Sequence, residues 1–199
     1  MFTMPRALPR QLTTPVVAVL ARLGVTPNML TVAQLLGGIV AAAIIGSGAL
    51  ALGGVVMLLA SSLDAFDGTL ARTTGKVTRF GGVFDSTFDR LFEGAVLGGV
   101  LYYYLQQGND IASMLVFVAM VGSYSVSYVR ARAEVEGISL YDGLFTRVVR
   151  LVLLTAGLVL GGLQVVLWVL AVMTLVTAFH RLFAVWQKLR DTPPGQAPR

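Results

Sequence analysis

The apolar residues of this chain are gathered into windows of about 20 residues separated by short polar breaks. Six windows stand out, at roughly 29–49, 50–72, 80–105, 110–133, 144–162 and 164–187. About 20 residues of α-helix cross a hydrocarbon core roughly 30 Å thick. Backbone groups inside lipid must pair within their own segment, which favours helices over open strands. The pattern therefore predicts six transmembrane helices. The breaks carry turn residues, as in "GSGAL" at 46–50, "QQGND" at 106–110 and "GGLQ" at 161–164. Ahead of the first window, residues 6–23 mix apolar and basic positions, with Pro15 placed to start a helix after Thr13 and Thr14. This reads as an amphipathic helix lying on the cytoplasmic face, and "VTPNML" at 25–30 turns the chain into the first span. The expected architecture is all-α: an amphipathic juxtamembrane segment (1–24), one six-helix domain (25–190) and a disordered tail (191–199).

Composition agrees. The 199 residues are 56% hydrophobic and their mean hydropathy is +0.78, outside the range of ordinary soluble domains. Pro5, Arg6, Pro9 and Arg10 interrupt the N-terminus, so no signal peptide is expected. The net charge of +5 raises the question of nucleic acid, and the positions of the charges answer it. All 15 Lys and Arg residues fall on one side of a six-span arrangement, and the opposite loops carry none. That is the positive-inside pattern. It places both termini on the cytoplasmic side of a multi-pass membrane protein and leaves nucleic acid without a role. With no cysteine, disulfides and thiol catalysis are excluded.

Against this background four acids are out of place: Asp64, Asp67, Asp85 and Asp89. A charged carboxylate in lipid costs at least about 2.5–3.5 kcal/mol, so four need a shared cation or a wet cavity. Asp64, Asp67 and Ala71 fall at i, i+3 and i+7 on one helical face. Gly81, Asp85 and Asp89 fall at i, i+4 and i+8 on another. A short loop joins the two segments, so the faces can oppose one another. Carboxylate oxygens suit hard divalent cations such as Mg²⁺ or Mn²⁺. Two such ions about 3.5–4 Å apart are an arrangement known for displacement at phosphorus. Gly68, Ala71, Gly81 and Gly82 would let a diphosphate approach the backbone, or would serve close helix packing.

The run Asp64-x₂-Asp67-Gly68-x₂-Ala71-Arg72-x₈-Gly81-x₃-Asp85-x₃-Asp89 resembles, without a gap, the signature of the CDP-alcohol phosphatidyltransferase family. The resemblance implies a CDP-diacylglycerol-like lipid donor, an alcohol acceptor, CMP as leaving group, two divalent metal ions and a homodimer. By it, Asp64, Asp67 and Asp85 hold metal and Asp89 completes the second site. Asp89 is also the implied general base, a role for a carboxylate within reach of the attacking hydroxyl. Gly68, Ala71 and Arg72 line the nucleotide, as do Pro27, Asn28 and Thr31 of the first span, although Asn28 also suits a helix N-cap.

The acceptor is written elsewhere. Arg130, Arg147, Arg150 and Arg181 come from three spans near their cytoplasmic ends, with Arg147 and Arg150 sharing a face. Each can be read as a snorkelling side chain. As a set they would bind a phosphate, which arginine grips bidentately. "SYVRARAEVEG" (127–137), "R-x₂-R-L" (147–151) and "HRLFAVW" (180–186) resemble the phosphatidylinositol-phosphate synthase branch, and "TGKVTRFGGVFDSTFDR" (74–90) its archaeal members. The branch implies inositol 1-phosphate as the phosphorylated polyol, with Glu93 standing where it carries an aspartate facing the inositol ring and Arg130 where lysine is common. Glycerol 3-phosphate is the alternative acceptor. From other classes, a prenyltransferase would place its two acidic motifs far apart, and a proton- or ion-coupled transporter would not need glycines at these offsets. His180 and Tyr102, Tyr103 and Tyr104 read as interfacial residues, and Gly94-x₃-Gly98 as a stripe that can pack a dimer.

Overall fold

The computed structural model describes residues 10–140 and 145–190, so the predicted tail at 191–199 and the first nine residues of the predicted juxtamembrane segment lie outside the described residues. Among the described residues the chain forms eight helices and no strand. They are α1 (Arg10–Arg22), α2 (Pro27–Gly46), α3 (Leu50–Ser61), α4 (Asp64–Thr73), α5 (Arg79–Gln106), α6 (Asp110–Val135), α7 (Arg147–Leu160) and α8 (Leu163–Arg190).

Four segments are long and apolar enough to cross a membrane: Pro27–Gly46, Leu50–Thr73, Asp110–Val135 and Leu163–Arg190. Helices also fill the other two predicted windows, but neither meets that measure. In α5, 28 residues long, Arg79, Asp85, Asp89, Arg90 and Glu93 crowd the first half. The 14 residues of α7 rise only about 21 Å.

Local signals explain the ends. Thr26 caps α2: its Oγ1 accepts from the Met29 amide at 3.3 Å, and Pro27 occupies the first turn, where its missing N–H costs nothing. The cap expected as one reading of Asn28 therefore belongs to Thr26, and Asn28 lies inside the helix, exposed. Thr78 and Asn109 cap α5 and α6 in the same way, accepting from Gly81 and Ala112. The second window breaks into two helices because the amides of Leu63, Ala65 and Phe66 bond the carbonyls of Ala60, Ser62 and Leu63, three residues back, and tighten the turn. Asp64 begins the new helix. The helix α1 starts at Arg10, ahead of Pro15 where the sequence placed it, and sets Val17 and Leu20 against Leu30, Phe66 and Leu70.

Packing closes a ring. Helix α2 packs on α5, α5 on α6, α6 on α8, α8 on α7, α7 on α3, and α3 back on α2. The core inside it holds Met57, Phe92, Val96, Val116, Leu154 and Leu167, all buried. The α2–α5 approach depends on glycine, since a Cβ on Gly38 would lie 2.5 Å from the Phe92 ring and one on Gly99 would meet the Ala42 backbone. Small residues at such contacts let membrane helices come close enough for side chains to bridge them. The polar bridges at one end of this ring form the site.

Candidate active site

The short helix α4 carries Asp64 and Asp67 in its first turn, and the first half of α5 carries Asp85 and Asp89. Helix α2 packs against both elements and brings them together. One carboxylate oxygen from each of Asp64, Asp67 and Asp85 lies within 4.8 Å of the others. Asp67 is buried, and Thr31 of α2 donates through Oγ1 to its Oδ2 at 3.0 Å. A buried oxygen of Asp85, Oδ1, has no hydrogen-bond partner among the described residues. Three carboxylates this close repel one another, and an orphaned acceptor carries a desolvation cost of about 1–3 kcal/mol. Both problems are relieved by a hard cation, so the residues fit the divalent metal that the spacing implies.

Asp89 stands beside this trio and is held differently. Its Oδ1 lies 2.8 Å from Nη2 of Arg147 and accepts from Nε2 of Gln34 at 3.3 Å. Arg147, the first residue of α7, also donates through Nη1 to Oδ2 of Asp64 at 3.2 Å and sits over the Phe92 ring. One arginine therefore spans the acids of α4 and α5. A turn later on both helices, Arg150 of α7 meets Glu93 of α5 in a bidentate pair, 2.7 Å from Nε to Oε1 and 2.9 Å from Nη2 to Oε2. Both side chains are nearly inaccessible, at 3% and 4% exposure. Arg150 also donates to the Phe145 carbonyl at 3.3 Å. The two rungs lock the start of α7 to α5.

The remaining arginines are arranged otherwise. Arg181 of α8 is buried, donates to the Val126 carbonyl of α6 at 3.0 Å, and finds no partner for its Nε among the described residues. Arg130, exposed at the end of α6, pairs with Glu134 at 2.9 Å. Arg147 and Arg150 thus join the acids, while Arg130 and Arg181 stand on the α6–α8 side.

The residues given to the nucleotide form a looser set. Pro27 and Thr31 line the buried approach to Asp67, whereas Asn28 is exposed. Ala71 is half-buried, and exposed Arg72 donates to Thr69 Oγ1 at 3.2 Å. A Cβ on Gly68 would meet only the Arg72 guanidinium, and one on Gly82 would meet open space. Gly81 is different: a side chain there would press on the Thr78 cap. Gly94 faces the Tyr124 hydroxyl of α6, which bonds the Arg90 carbonyl at 3.0 Å, so only Gly98 of the predicted dimer stripe is open.

Two contributors escaped the sequence reading. Arg90 folds back onto the Ser86 carbonyl at 2.6 Å beside Asp89. Gln34, 1% exposed, is the larger omission. It is the one amide in the first apolar window, three residues after Thr31 on the same buried face, and that isolation was the available signal.

With this geometry in place, comparison with known proteins is informative. A family model described as CDP-alcohol phosphatidyltransferase matches residues 24–186. The phosphatidylinositol phosphate synthase of Mycobacteroides abscessus is 36% identical over 194 residues, which take in 93% of this chain and 86% of that protein. The archaetidylinositol phosphate synthase of Pyrococcus horikoshii is 33% identical over 171 residues, 85% of this chain and 88% of that one. The crystal structure of the Mycobacterium tuberculosis phosphatidylinositol phosphate synthase with CDP-DAG bound superposes with a TM-score of 0.84 at 32% identity, covering 95% of this chain and 98% of that one. A second structure of that protein, in complex with manganese and citrate, superposes with a TM-score of 0.83 at 32% identity, covering 94% and 92%.

Proposed function

Since the chain belongs to the CDP-alcohol phosphatidyltransferase family, we propose that it moves the phosphatidyl group of a CDP-linked lipid, CDP-diacylglycerol or an ether analogue, onto inositol 1-phosphate and releases CMP. It is an enzyme of phospholipid biosynthesis, and glycerol 3-phosphate is the alternative acceptor. One observation carries the reading: carboxylates from two helices meet within 4.8 Å, beside a half-buried and a buried arginine on a third.

The chemistry follows from the residues. Asp64, Asp67 and Asp85, with Asp89 completing a second position, would hold two divalent ions, Mg²⁺ or Mn²⁺. When bound, these supply Lewis-acid neutralisation of the donor diphosphate and of charge on the departing CMP. Pro27, Asn28, Thr31, Gly68, Ala71 and Arg72 frame the cytidine nucleotide, with Thr31 fixing the Asp67 carboxylate. Asp89 takes the proton of the inositol hydroxyl. The oxygen forms its bond to the lipid-bearing phosphorus as the bond to CMP breaks, and CMP leaves with the electron pair. Arg147 and Arg181, supported by Arg130, orient the acceptor phosphate. Arg150 and Glu93 form the wall that aims Arg147.

We extend the proposal to topology. Helices α5 and α7 join the four apolar segments to make six spans, and α1 lies along the cytoplasmic surface of the cell membrane. Both termini and the site face the cytoplasm, as the one-sided distribution of Lys and Arg supports. The enzyme works as a homodimer in the bilayer.

Purified protein given labelled CDP-diacylglycerol and Mn²⁺ is expected to release CMP and form a phosphorylated inositol lipid when offered inositol 1-phosphate. Equal or faster turnover with glycerol 3-phosphate would reassign the acceptor. CMP release with neither would end the reading.

A further inference from the structure

Gln34 has a geometry that packing alone does not account for. It is buried in the first half of α2, on the face formed by Leu30, Thr31, Gly38 and Ala41. Its Nε2 donates to Oδ1 of Asp89 at 3.3 Å, and its Oε1 is buried with no partner among the described residues. A lone amide in an apolar span is costly. Leucine or methionine would fill the same volume without an orphaned acceptor, so a requirement beyond volume keeps the amide there.

The bond to Asp89 supplies that requirement. Gln34 and Arg147 approach the carboxylate from opposite helices, α2 and α7, and both meet the same oxygen, Oδ1. Oδ2 receives no donor from the described residues. One hydrogen bond and one ion pair converge on this oxygen, fix the carboxylate plane and leave the other oxygen as the proton acceptor. Gln34 does this without charge. Thr31, one turn earlier, holds Asp67 by a neutral donor in the same manner. The α2 face therefore steers two acids while neutralising neither.

We infer that Gln34 is a positioning residue for Asp89, orienting the general base so that Oδ2 faces the acceptor hydroxyl, and that its Oε1 receives a hydrogen bond from a water beside it. This rests on the transfer reaction proposed above. Wild-type protein is therefore assayed first: no acceptor-dependent CMP release from it would remove the reaction and leave Gln34 out of account.

The test is a comparison of Gln34→Met, which keeps the volume and removes both polar atoms, with Gln34→Asn, which keeps the amide one methylene short. A hydrogen bond to a charged group corresponds to roughly a ten- to hundredfold change, and that is the expected loss in kcat for Gln34→Met. KM for CDP-diacylglycerol and inositol 1-phosphate should stay at the wild-type level. The solvent deuterium isotope effect on kcat should rise, because proton removal by a misaimed base becomes limiting. Mn²⁺ affinity at the position held by the Asp64–Asp67–Asp85 trio, read by electron paramagnetic resonance, should not move, since no member of that trio bonds Gln34. Gln34→Asn should fall between the two. Wild-type kcat in folded Gln34→Met, a raised donor KM with kcat intact, or weakened Mn²⁺ binding at the Asp64–Asp67–Asp85 trio would each overturn the inference. If Gln34→Met does not fold, Gln34→Asn decides on the same readouts.

Discussion

Removal of either member of the Glu93–Arg150 pair tests whether the start of α7 is clamped to α5 or whether Arg150 is held in reserve for substrate. The pair is bidentate at 2.7 and 2.9 Å, and its side chains are 4% and 3% exposed. Breaking such a pair leaves an uncompensated buried charge, which costs about 3–5 kcal/mol. In a chain of this length each kcal/mol corresponds to about 2–4 °C in Tm. Glu93→Gln or Arg150→Met should therefore lower the Tm of detergent-solubilised protein by about 6–20 °C. Replacing both partners with apolar residues of similar shape removes the charge imbalance, so Glu93→Leu/Arg150→Met should recover most of that loss. Glu93→Asp retracts the carboxylate by about one bond length, cannot keep both contacts, and should fall between wild type and Glu93→Gln. The assay is thermal unfolding by intrinsic fluorescence together with steady-state kinetics. In the double variant Arg147 loses the rung beside it, so KM for inositol 1-phosphate should rise although the fold is restored. Unchanged Tm in Arg150→Met with a raised acceptor KM would refute the clamp and make Arg150 a direct ligand. A double variant no more stable than the singles would refute the charge argument itself.

Three shorter predictions concern the acids and the other arginines. Asp67→Ala and Asp89→Asn should abolish CMP release while leaving a monodisperse, folded protein by size-exclusion chromatography, and full activity in either would remove the metal and base assignments. Arg147→Ala or Arg181→Ala should raise KM for the phosphorylated acceptor well above any change for the CDP-lipid, and equal effects on both would reduce these arginines to anchors. EDTA should silence turnover, with Mg²⁺ or Mn²⁺ restoring it, and persistent activity in chelator would contradict a carboxylate-held metal.

The sequence carried the acids because their offsets are short-range facts: Asp64 with Asp67, and Asp85 with Asp89, share a helix and need only helical period to be aligned. It carried the helices for a similar reason, since apolar windows report burial directly. What it did not carry depends on contacts between distant segments. Arg147 and Arg150 are legible as a basic face, but their partners Asp64, Asp89 and Glu93 lie 57 or more positions away, and the signature gives Asp64 and Asp89 to metal. Glu93 and Arg150 were both assigned to the acceptor, and the structure pairs them with each other. Gln34 lay outside the signature altogether. The break before Asp64 and the assignment of the α2 cap to Thr26 turned on turns only a few residues long, where several neighbours offer the same chemistry.

Charge arithmetic links these details to the proposed reaction. Around the clustered end stand five carboxylates, Asp64, Asp67, Asp85, Asp89 and Glu93, against three guanidiniums, Arg90, Arg147 and Arg150. If all are ionised, two negative charges remain unmatched where low dielectric makes them expensive. On α8, buried Arg181 has no carboxylate partner among the described residues and feels the like charges of Arg130 and Arg150. A site with excess negative charge at one wall and excess positive charge at the other is unstable empty and satisfied by a pair of ligands of opposite preference. A divalent cation suits the first wall and a phosphate the second. A transferase joining a metal-bound diphosphate to a phosphorylated alcohol requires both. A free alcohol such as serine would leave Arg181 unmatched, so the arrangement of arginines, more than the acidic signature, argues for a phosphorylated acceptor.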